Sequence, residues 1–168
     1  MVAEKRKEEA THLTFLDVRM LDTPAIAVQE SQTQLTRMGQ YVRIMMTSLR
    51  AILDADAIDQ KKVDELFEQE QTLDLMQKEI TEFITKLLSG TIPQEVVDQA
   101  HMQVRVADEY ESISDYITNI LKLFLKKKKS DIWFPKEAWK EILSLHDRAA
   151  EYVELVDDGV RENHPEVL

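Results

Sequence analysis

The chain has 168 residues, of which 32 are acidic and 21 are basic, so its formal net charge is −11. This length fits one domain, and the negative charge argues against general nucleic-acid binding because most of the surface would repel phosphates. Three glycines and four prolines are too few for the many turns of a sandwich, a barrel or a βαβ series. The absence of cysteine excludes a disulfide scaffold, a thiolate zinc site and a thiol nucleophile.

The N-terminal part of the chain predicts a lead-in followed by a long helix. Residues 1–22 carry scattered apolar anchors, and their charged start lacks the apolar segment of a signal peptide. Asp22-Thr23-Pro24 then predicts a helix start, because proline at the first helical position loses no hydrogen bond. Apolar residues recur every seven positions over about 30 residues, which is typical of a helix. They form the rows Val28, Leu35, Val42, Leu49 and Met38, Met45, Ile52.

Two further helices are predicted in the middle of the chain. The second runs from about 61 to 89, and Gly90 is placed to cap its C-terminus. Pro93 opens the third helix, which continues to about Lys126. It ends in Lys126–Lys129, whose positive charge suits the negative end of the helix dipole. Its main apolar face is predicted to consist of Val106, Tyr110, Ile113, Ile117, Ile120 and Phe124.

A fourth helix is predicted to open at Pro135 after a short connection. Its apolar face is predicted to consist of Ala138, Ile142, Leu145, Ala149, Tyr152, Val153, Val156 and Val160. Each of the four helices has one apolar and one charged face, as a bundle helix in water does. Short loops make neighbouring helices antiparallel, so the sequence predicts an all-α, up-and-down antiparallel bundle of long helices.

The sequence lacks the motifs of common nucleotide-dependent and hydrolytic enzymes. It has no glycine-rich phosphate loop, no G-x-S-x-G, no H-E-x-x-H and no calcium-loop spacing. What remains is carboxylates on helices, in nine acidic pairs spaced by four, and two of these pairs are candidates: Glu70 with Asp74 on the second helix and Glu111 with Asp115 on the third. Residues four apart share one helix face. If the two helices are neighbours, these four carboxylates suit a hard, oxygen-preferring cation.

The surroundings of these carboxylates distinguish them from the acidic pairs that chance produces on solvated helix faces. Glu70 lies in the apolar arc of its helix, where a charge needs a partner or must reach solvent. The third helix carries an oxygen-rich stripe of Asp108, Glu111, Asp115 and Asn119. Small side chains on the same face let another helix or a cation approach closely. They are Ala100, Ala107, Ser114 and Thr118.

Several stretches of the sequence resemble motifs of PhoU domains. Residues 106–120, VADEYESISDYITNI, are similar to the PhoU signature, which reads roughly D-x-E-R-I-G-D-x-x-x-N-I. Residues 68–80, EQEQTLDLMQKEI, resemble the partner motif of the preceding helix, E-x-x-I-D-x-L-Q-x-E-I. The lead-in 16–28, LDVRMLDTPAIAV, followed by Arg37-Met38-Gly39, is similar to the segment before the PhoU-like domain of bacterial sodium/phosphate cotransporter family proteins.

The resemblance implies a regulatory module in phosphate uptake, with metal held by E-x-x-x-D motifs on adjacent helices. Carried over by position, the ligands of an iron or zinc cluster, or of another divalent cation, would be Glu70, Asp74, Glu111 and Asp115, flanked by Asp108 and Asn119. One departure concerns the signature itself, where Ser112-Ile113-Ser114 replaces the usual Arg-Ile-Gly. No catalytic residue is implied, so we expect a protein that is not an enzyme.

The resemblance also implies a domain organisation, a location and partners. Residues 1–22 would be a lead-in segment that follows a membrane domain in the full-length protein, and 23–168 would form the PhoU-like bundle. The module would lie in the cytoplasm, tethered to the inner face of the bacterial plasma membrane. Its partner would be the membrane transport domain of the same or an associated protein. Because the chain carries one three-helix repeat plus a fourth helix, a second copy is a further candidate partner that would complete the architecture.

Two other functions stay open from the sequence. A metal-free helical docking module would explain the lost Arg-Ile-Gly as a decayed site. A di-metal carboxylate enzyme is disfavoured, because it needs a buried site with histidine ligands and an open coordination position, and the chain has only four histidines. Separately, Lys126–Lys129 beside Trp133 and Phe134 would suit contact with a membrane surface, although a helix-terminal charge cluster accounts for the same lysines.

Overall fold

The computed structural model describes residues 14–130 and 132–162. It contains four long helices, α1 (Pro24–Asp54), α2 (Gln60–Leu88), α3 (Gln94–Lys129) and α4 (Lys136–Arg161). A short 3₁₀ helix, Val18–Asp22, precedes them. Over the described ranges there is no β-strand, so the predicted all-α bundle is confirmed. In the same ranges no helix combines the length and the apolar character needed to cross a membrane.

The helices begin where the prolines indicate. Pro24 is the first residue of α1, as predicted, and the carbonyl of Thr23 accepts the first helical hydrogen bonds. Pro93 and Pro135 each lie just before a helix, whereas the sequence predicted them as the first helical residues, and their carbonyls accept the first bonds of the turn. Pro93 accepts from Val96 and Val97 at the start of α3, and Pro135 accepts from Trp139 in α4.

The described part of the chain forms two compact units, and the boundaries between them fall inside α1, α2 and α3. The first unit comprises residues 14–38 and 73–111, and the second comprises 39–72 and 112–162. The core of the first unit includes Leu16, Leu35, Met38, Leu73, Met76, Ile80, Phe83 and Ile84. The core of the second includes Val42, Met45, Leu49, Leu66, Ile117 and Leu121. The seven-residue rows predicted for α1 are therefore buried throughout.

Within the second unit α1 and α4 are antiparallel. Arg43 contacts Asp157, and Arg50, one heptad further along α1, contacts Asp147, which lies ten residues earlier in α4. These ion pairs give α4 a defined position and rotation against α1. The direction agrees with the up-and-down arrangement expected for helices joined by short loops.

Two details of the predictions for α2 and α3 are wrong. Ile120 of α3 is exposed and Leu121 is buried in its place, because the buried row advances four residues from Ile117 and then three to Phe124. Gly90 follows α2 through a tight turn onto the Leu87 carbonyl, without the left-handed backbone of a glycine cap.

The largest correction concerns α4. Four residues of its predicted apolar face, Ile142, Leu145, Ala149 and Tyr152, are exposed. Val160 of that face is buried, and so are Leu143 and Asp157, which were not predicted. The physical reason is that ion pairs from Arg43 and Arg50 fix the rotation of the helix. A helix with apolar residues on two sides can bury only one of them against a single neighbour.

Candidate functional site

The six predicted site residues are divided between the two units. Asp74, Asp108 and Glu111 belong to the first unit, whereas Glu70, Asp115 and Asn119 belong to the second. Glu70, Asp74 and Glu111 are half-buried, and the other three are exposed. The half-buried position of Glu70 agrees with its place in the apolar arc of α2.

In the first unit a lysine lies with the predicted carboxylates. The Nζ of Lys78 donates to Oδ2 of Asp74 at 2.7 Å, one turn away on α2. This hydrogen bond, together with the charge of Asp74, raises the pKa of Lys78, and the charge of Glu111 on α3 raises it further. Lys78 is therefore the cation that reduces repulsion between these two acids.

A polar bridge joins α2 to α3 beside this group. The side-chain amide of Gln77 donates to Oδ1 of Asp108 at 2.6 Å and also lies 3.4 Å from Oγ1 of Thr81. Asp108 is thus used as a hydrogen-bond acceptor between helices. Such a bond to an ionised acceptor is stronger than one between neutral groups.

The small residues of α3 lie beside this stripe and face inward. Ala100, Ala107, Ser114 and Thr118 are all buried. The expectation that small side chains permit close approach on this face is consistent with their full burial. The oxygen-rich stripe itself runs along the edge of the buried surface, because Asp108, Asp115 and Asn119 are exposed.

The comparison with protein families decides the class of the molecule. The model of the PhoU domain family matches residues 35–124. The chain belongs to the PhoU domain family. The matched stretch contains all six predicted site residues and ends before α4. Comparisons with curated proteins and with solved structures gave no match.

The arrangement in this PhoU domain does not by itself fit a metal cluster. In the part of the chain that the structure describes, no group of three or more His, Asp or Glu side chains is placed to hold a metal ion. Asp74 is engaged by Lys78 and Asp108 by Gln77, so both acids already have donors. The iron or zinc site therefore stays a prediction.

Sequence reasoning missed two buried polar side chains of the PhoU domain. Glu79 lies beside Ile80 in the buried part of α2, and its two carboxylate oxygens accept the backbone N–H groups of Thr14 and Phe15, each at 2.8 Å. Gln103 of α3 donates to the carbonyl of Val28 at 3.0 Å. Their positions among buried apolar residues were the available signal, because a buried polar group needs a partner.

A charged cluster in the second unit was also missed. Arg43 of α1 pairs with Glu154, Asp157 and Asp158 of α4. Together with Arg50 and other residues it lines a groove of about 330 Å³. In this groove the arginines already have carboxylate partners, so the cluster joins two helices and offers no unpaired positive charge to an anion.

Part of the lysine run at the end of α3 is occupied by contacts within the domain. The Nζ of Lys127 lies 4.4 Å from the ring centroid of Trp139 and 5.0 Å from that of Phe134. Lys128 donates to the carbonyl of Asp56 at 3.2 Å. These contacts favour the structural explanation for two of the four lysines, and membrane contact by this segment stays a prediction.

Proposed function

We propose that this PhoU domain is a non-catalytic regulatory module of phosphate uptake that acts by docking onto a membrane transport domain. The observation that carries the proposal is the family match over residues 35–124, since PhoU domains are regulatory helical domains. The narrower context, a sodium/phosphate cotransporter family protein, is supported by the motif at 16–28 followed by Arg37-Met38-Gly39.

The first unit supplies a surface suited to this role. Lys78 lies with Asp74 and Glu111, and Gln77 bridges to Asp108, so α2 and α3 are linked by polar groups at the surface. A transport domain that presents basic side chains would compete with Lys78 for the two carboxylates. Docking would then be sensitive to salt, because exposed ion pairs are screened by ions.

A metal-dependent version of this function competes with the docking version. It uses Glu70, Asp74, Glu111 and Asp115 as ligands for iron or zinc and requires Lys78 to leave Asp74. The two versions differ in one measurable quantity, the metal content of protein purified without chelator or a metal-affinity tag. Stoichiometric metal that is lost in Glu111→Ala/Asp115→Ala, but kept in the control Asp64→Ala/Glu68→Ala, would establish the metal version.

The regulatory role itself is tested in the native host. The gene is deleted and restored, and uptake of radiolabelled phosphate is measured at low and high external phosphate, with and without sodium. We expect deletion to change the rate of phosphate uptake and restoration to return it. Uptake that is identical in all strains at every phosphate concentration would overturn the proposal, and an effect independent of sodium would overturn the cotransporter context.

A further inference from the structure

One side of α4 carries a regular apolar row that the domain does not bury. The row consists of Ala138, Ile142, Leu145, Ala149, Tyr152 and Val156, and we call it the α4 row. Successive members are four and three residues apart, the heptad pattern of a helix that pairs with another helix. Its large members are exposed by 37% (Ile142), 68% (Leu145) and 67% (Tyr152).

The packing of α4 within the second unit leaves the middle of this row exposed, and only Ala138 and Val156 at its ends are half-buried. The helix is held by its other side, where Leu143 and Asp157 are buried and Trp139 stacks on Phe124 with ring centroids 5.8 Å apart. The ion pairs to Arg43 add a polar attachment on that side. The exposed members of the α4 row therefore contribute little buried surface to the fold of the single chain.

The sizes of the side chains in the row make it complementary to itself. When two copies of α4 are laid antiparallel with Leu145 at the two-fold axis, Leu145 meets Leu145 of the second copy. Ile142 then faces Ala149 of the second copy, and Ala138 faces Tyr152. Apart from the Leu145 pair at the axis, the large side chains oppose small ones, which is how helix surfaces interdigitate without voids.

The charges beside the row fit the same register. Glu141 and Arg148 are exposed, and neither makes an ion pair with another described residue of its own chain. In the antiparallel arrangement Glu141 of each copy lies opposite Arg148 of the other, which gives two symmetric pairs of opposite charge. Because a two-fold interface uses one patch twice, a single helix supplies both partners.

We propose that the α4 row is an interface between two copies of this chain, paired antiparallel about Leu145. A second exposed row on α3, which includes Tyr116, Ile120 and Leu123, lacks the alternation of large and small side chains. The α3 row therefore serves as the internal comparison. Self-association through α4 goes beyond the regulatory role and does not depend on it.

The first test is the mass of the full chain in solution, measured by light scattering or sedimentation velocity over a concentration series. We expect the mass to rise from 19.6 kDa towards twice that value. Leu145→Glu would place two carboxylates at the two-fold axis and keep the chain monomeric. The control is Leu123→Glu, at a position exposed by 67%, which should associate like the wild type.

The outcomes of this test are decisive in both directions. A wild type that is monomeric at every concentration overturns the proposal and leaves the row to a different protein or to a membrane. Association that survives Leu145→Glu, or that is lost equally in Leu123→Glu, also overturns it. Circular dichroism of each variant checks that loss of association is not loss of the helices.

The second test addresses the register. Glu141→Arg or Arg148→Glu alone would set like charges opposite each other at two places, and we expect the dissociation constant to rise about tenfold. Combining both changes restores opposite charges and should restore association. A double variant that associates no better than the single variants would overturn the register, and the dimer with it.

Because the chain has no cysteine, Leu145→Cys provides an independent check. Mild oxidation should cross-link this variant into a covalent dimer much faster than Leu123→Cys at equal concentration. Equal rates for the two variants would contradict the antiparallel pairing.

Discussion

Asp157 of α4 is completely buried, and its Oδ2 lies 3.3 Å from Nη1 of Arg43 on α1. This contact spans more than one hundred positions of sequence and joins the last helix to the first within the second unit. Burying a carboxylate is expensive, and the ion pair with Arg43 offsets part of that cost for Asp157. The hydrogen bond to Asp157 in turn raises the pKa of Arg43, and the charge of Glu154 adds to the effect.

We expect Arg43→Ala to lower the free energy of unfolding by about 2 kcal/mol, because it removes the arginine that pairs with the buried carboxylate of Asp157. The measurement is chemical denaturation followed by circular dichroism. The matched control is Arg50→Ala, which removes the other arginine between the same helices but leaves only exposed carboxylates behind. A loss for Arg43→Ala no greater than that of Arg50→Ala would contradict the role given to Asp157.

Glu79 attaches the start of the described chain to α2. Its carboxylate accepts two backbone N–H groups, from Thr14 and Phe15, and its side chain is almost fully buried. We expect Glu79→Ala to cost about 1–3 kcal/mol, since both donors lose their acceptor. Hydrogen exchange at residues 14–16 should become faster before the rest of α2 changes.

The control for Glu79 lies one turn further along α2. Glu82 is exposed and pairs with Lys86 on the same helix, and exposed pairs of this kind contribute little. Glu82→Ala should therefore leave exchange at residues 14–16 unchanged. If the two variants accelerate exchange equally, the anchoring role of Glu79 is wrong.

Substitution of Lys78 tests whether the carboxylates of Asp74 and Glu111 bind a cation. In Lys78→Gln, Asp74 loses its hydrogen-bonded lysine and the charge of Glu111 is no longer balanced by it. We expect a lower melting temperature and a partial recovery when manganese or zinc is added, because a metal ion can replace the lost positive charge. The wild type should respond less to the same ions.

A matched variant separates this effect from general loss of charge. Lys86→Gln removes a lysine that forms an equivalent i,i+4 pair with Glu82, but it lies away from the six predicted residues. It should show no recovery with metal. Equal responses of the two variants would leave no reason to place a cation beside Asp74 and Glu111.

The four helices and the buried apolar rows of α1 could be predicted from the sequence alone. Periodic rows such as Leu35, Val42 and Leu49 identify a buried face because they repeat at helical spacing over many turns. The face of α4 was not predictable in this way, because both of its sides carry apolar residues. The choice between them depends on Arg43 and Arg50, whose pairing across the chain is not visible in local pattern.

The candidate site was predictable only in part for a similar reason. The acids could be chosen from their spacing and from the resemblance to PhoU motifs. Their partners, Lys78 for Asp74 and Gln77 for Asp108, could not be predicted. A polar residue on a mixed helix face gives no indication of which neighbour it contacts. Buried polar residues such as Glu79 and Gln103 show the same limit, since their acceptors and donors come from distant backbone.

Asp147 is the carboxylate through which we expect the stability of the fold to depend on acidic pH. The hydrogen bond from Arg50, at 2.8 Å, is the main cause that holds the pKa of Asp147 below its ordinary value of 3.8, and His146 contributes in the same direction. A carboxylate whose pKa is lower in the folded state stabilises the fold at pH values above its pKa in the unfolded chain. That contribution is lost as the pH falls through its pKa in the folded state.

We therefore expect wild-type stability to decline below about pH 4 more steeply than that of Asp147→Asn. Thermal melts from pH 2 to 6 measure this difference, with Glu151→Gln as the control on the same helix. Parallel profiles for wild type and Asp147→Asn would show that the pair with Arg50 does not stabilise the fold.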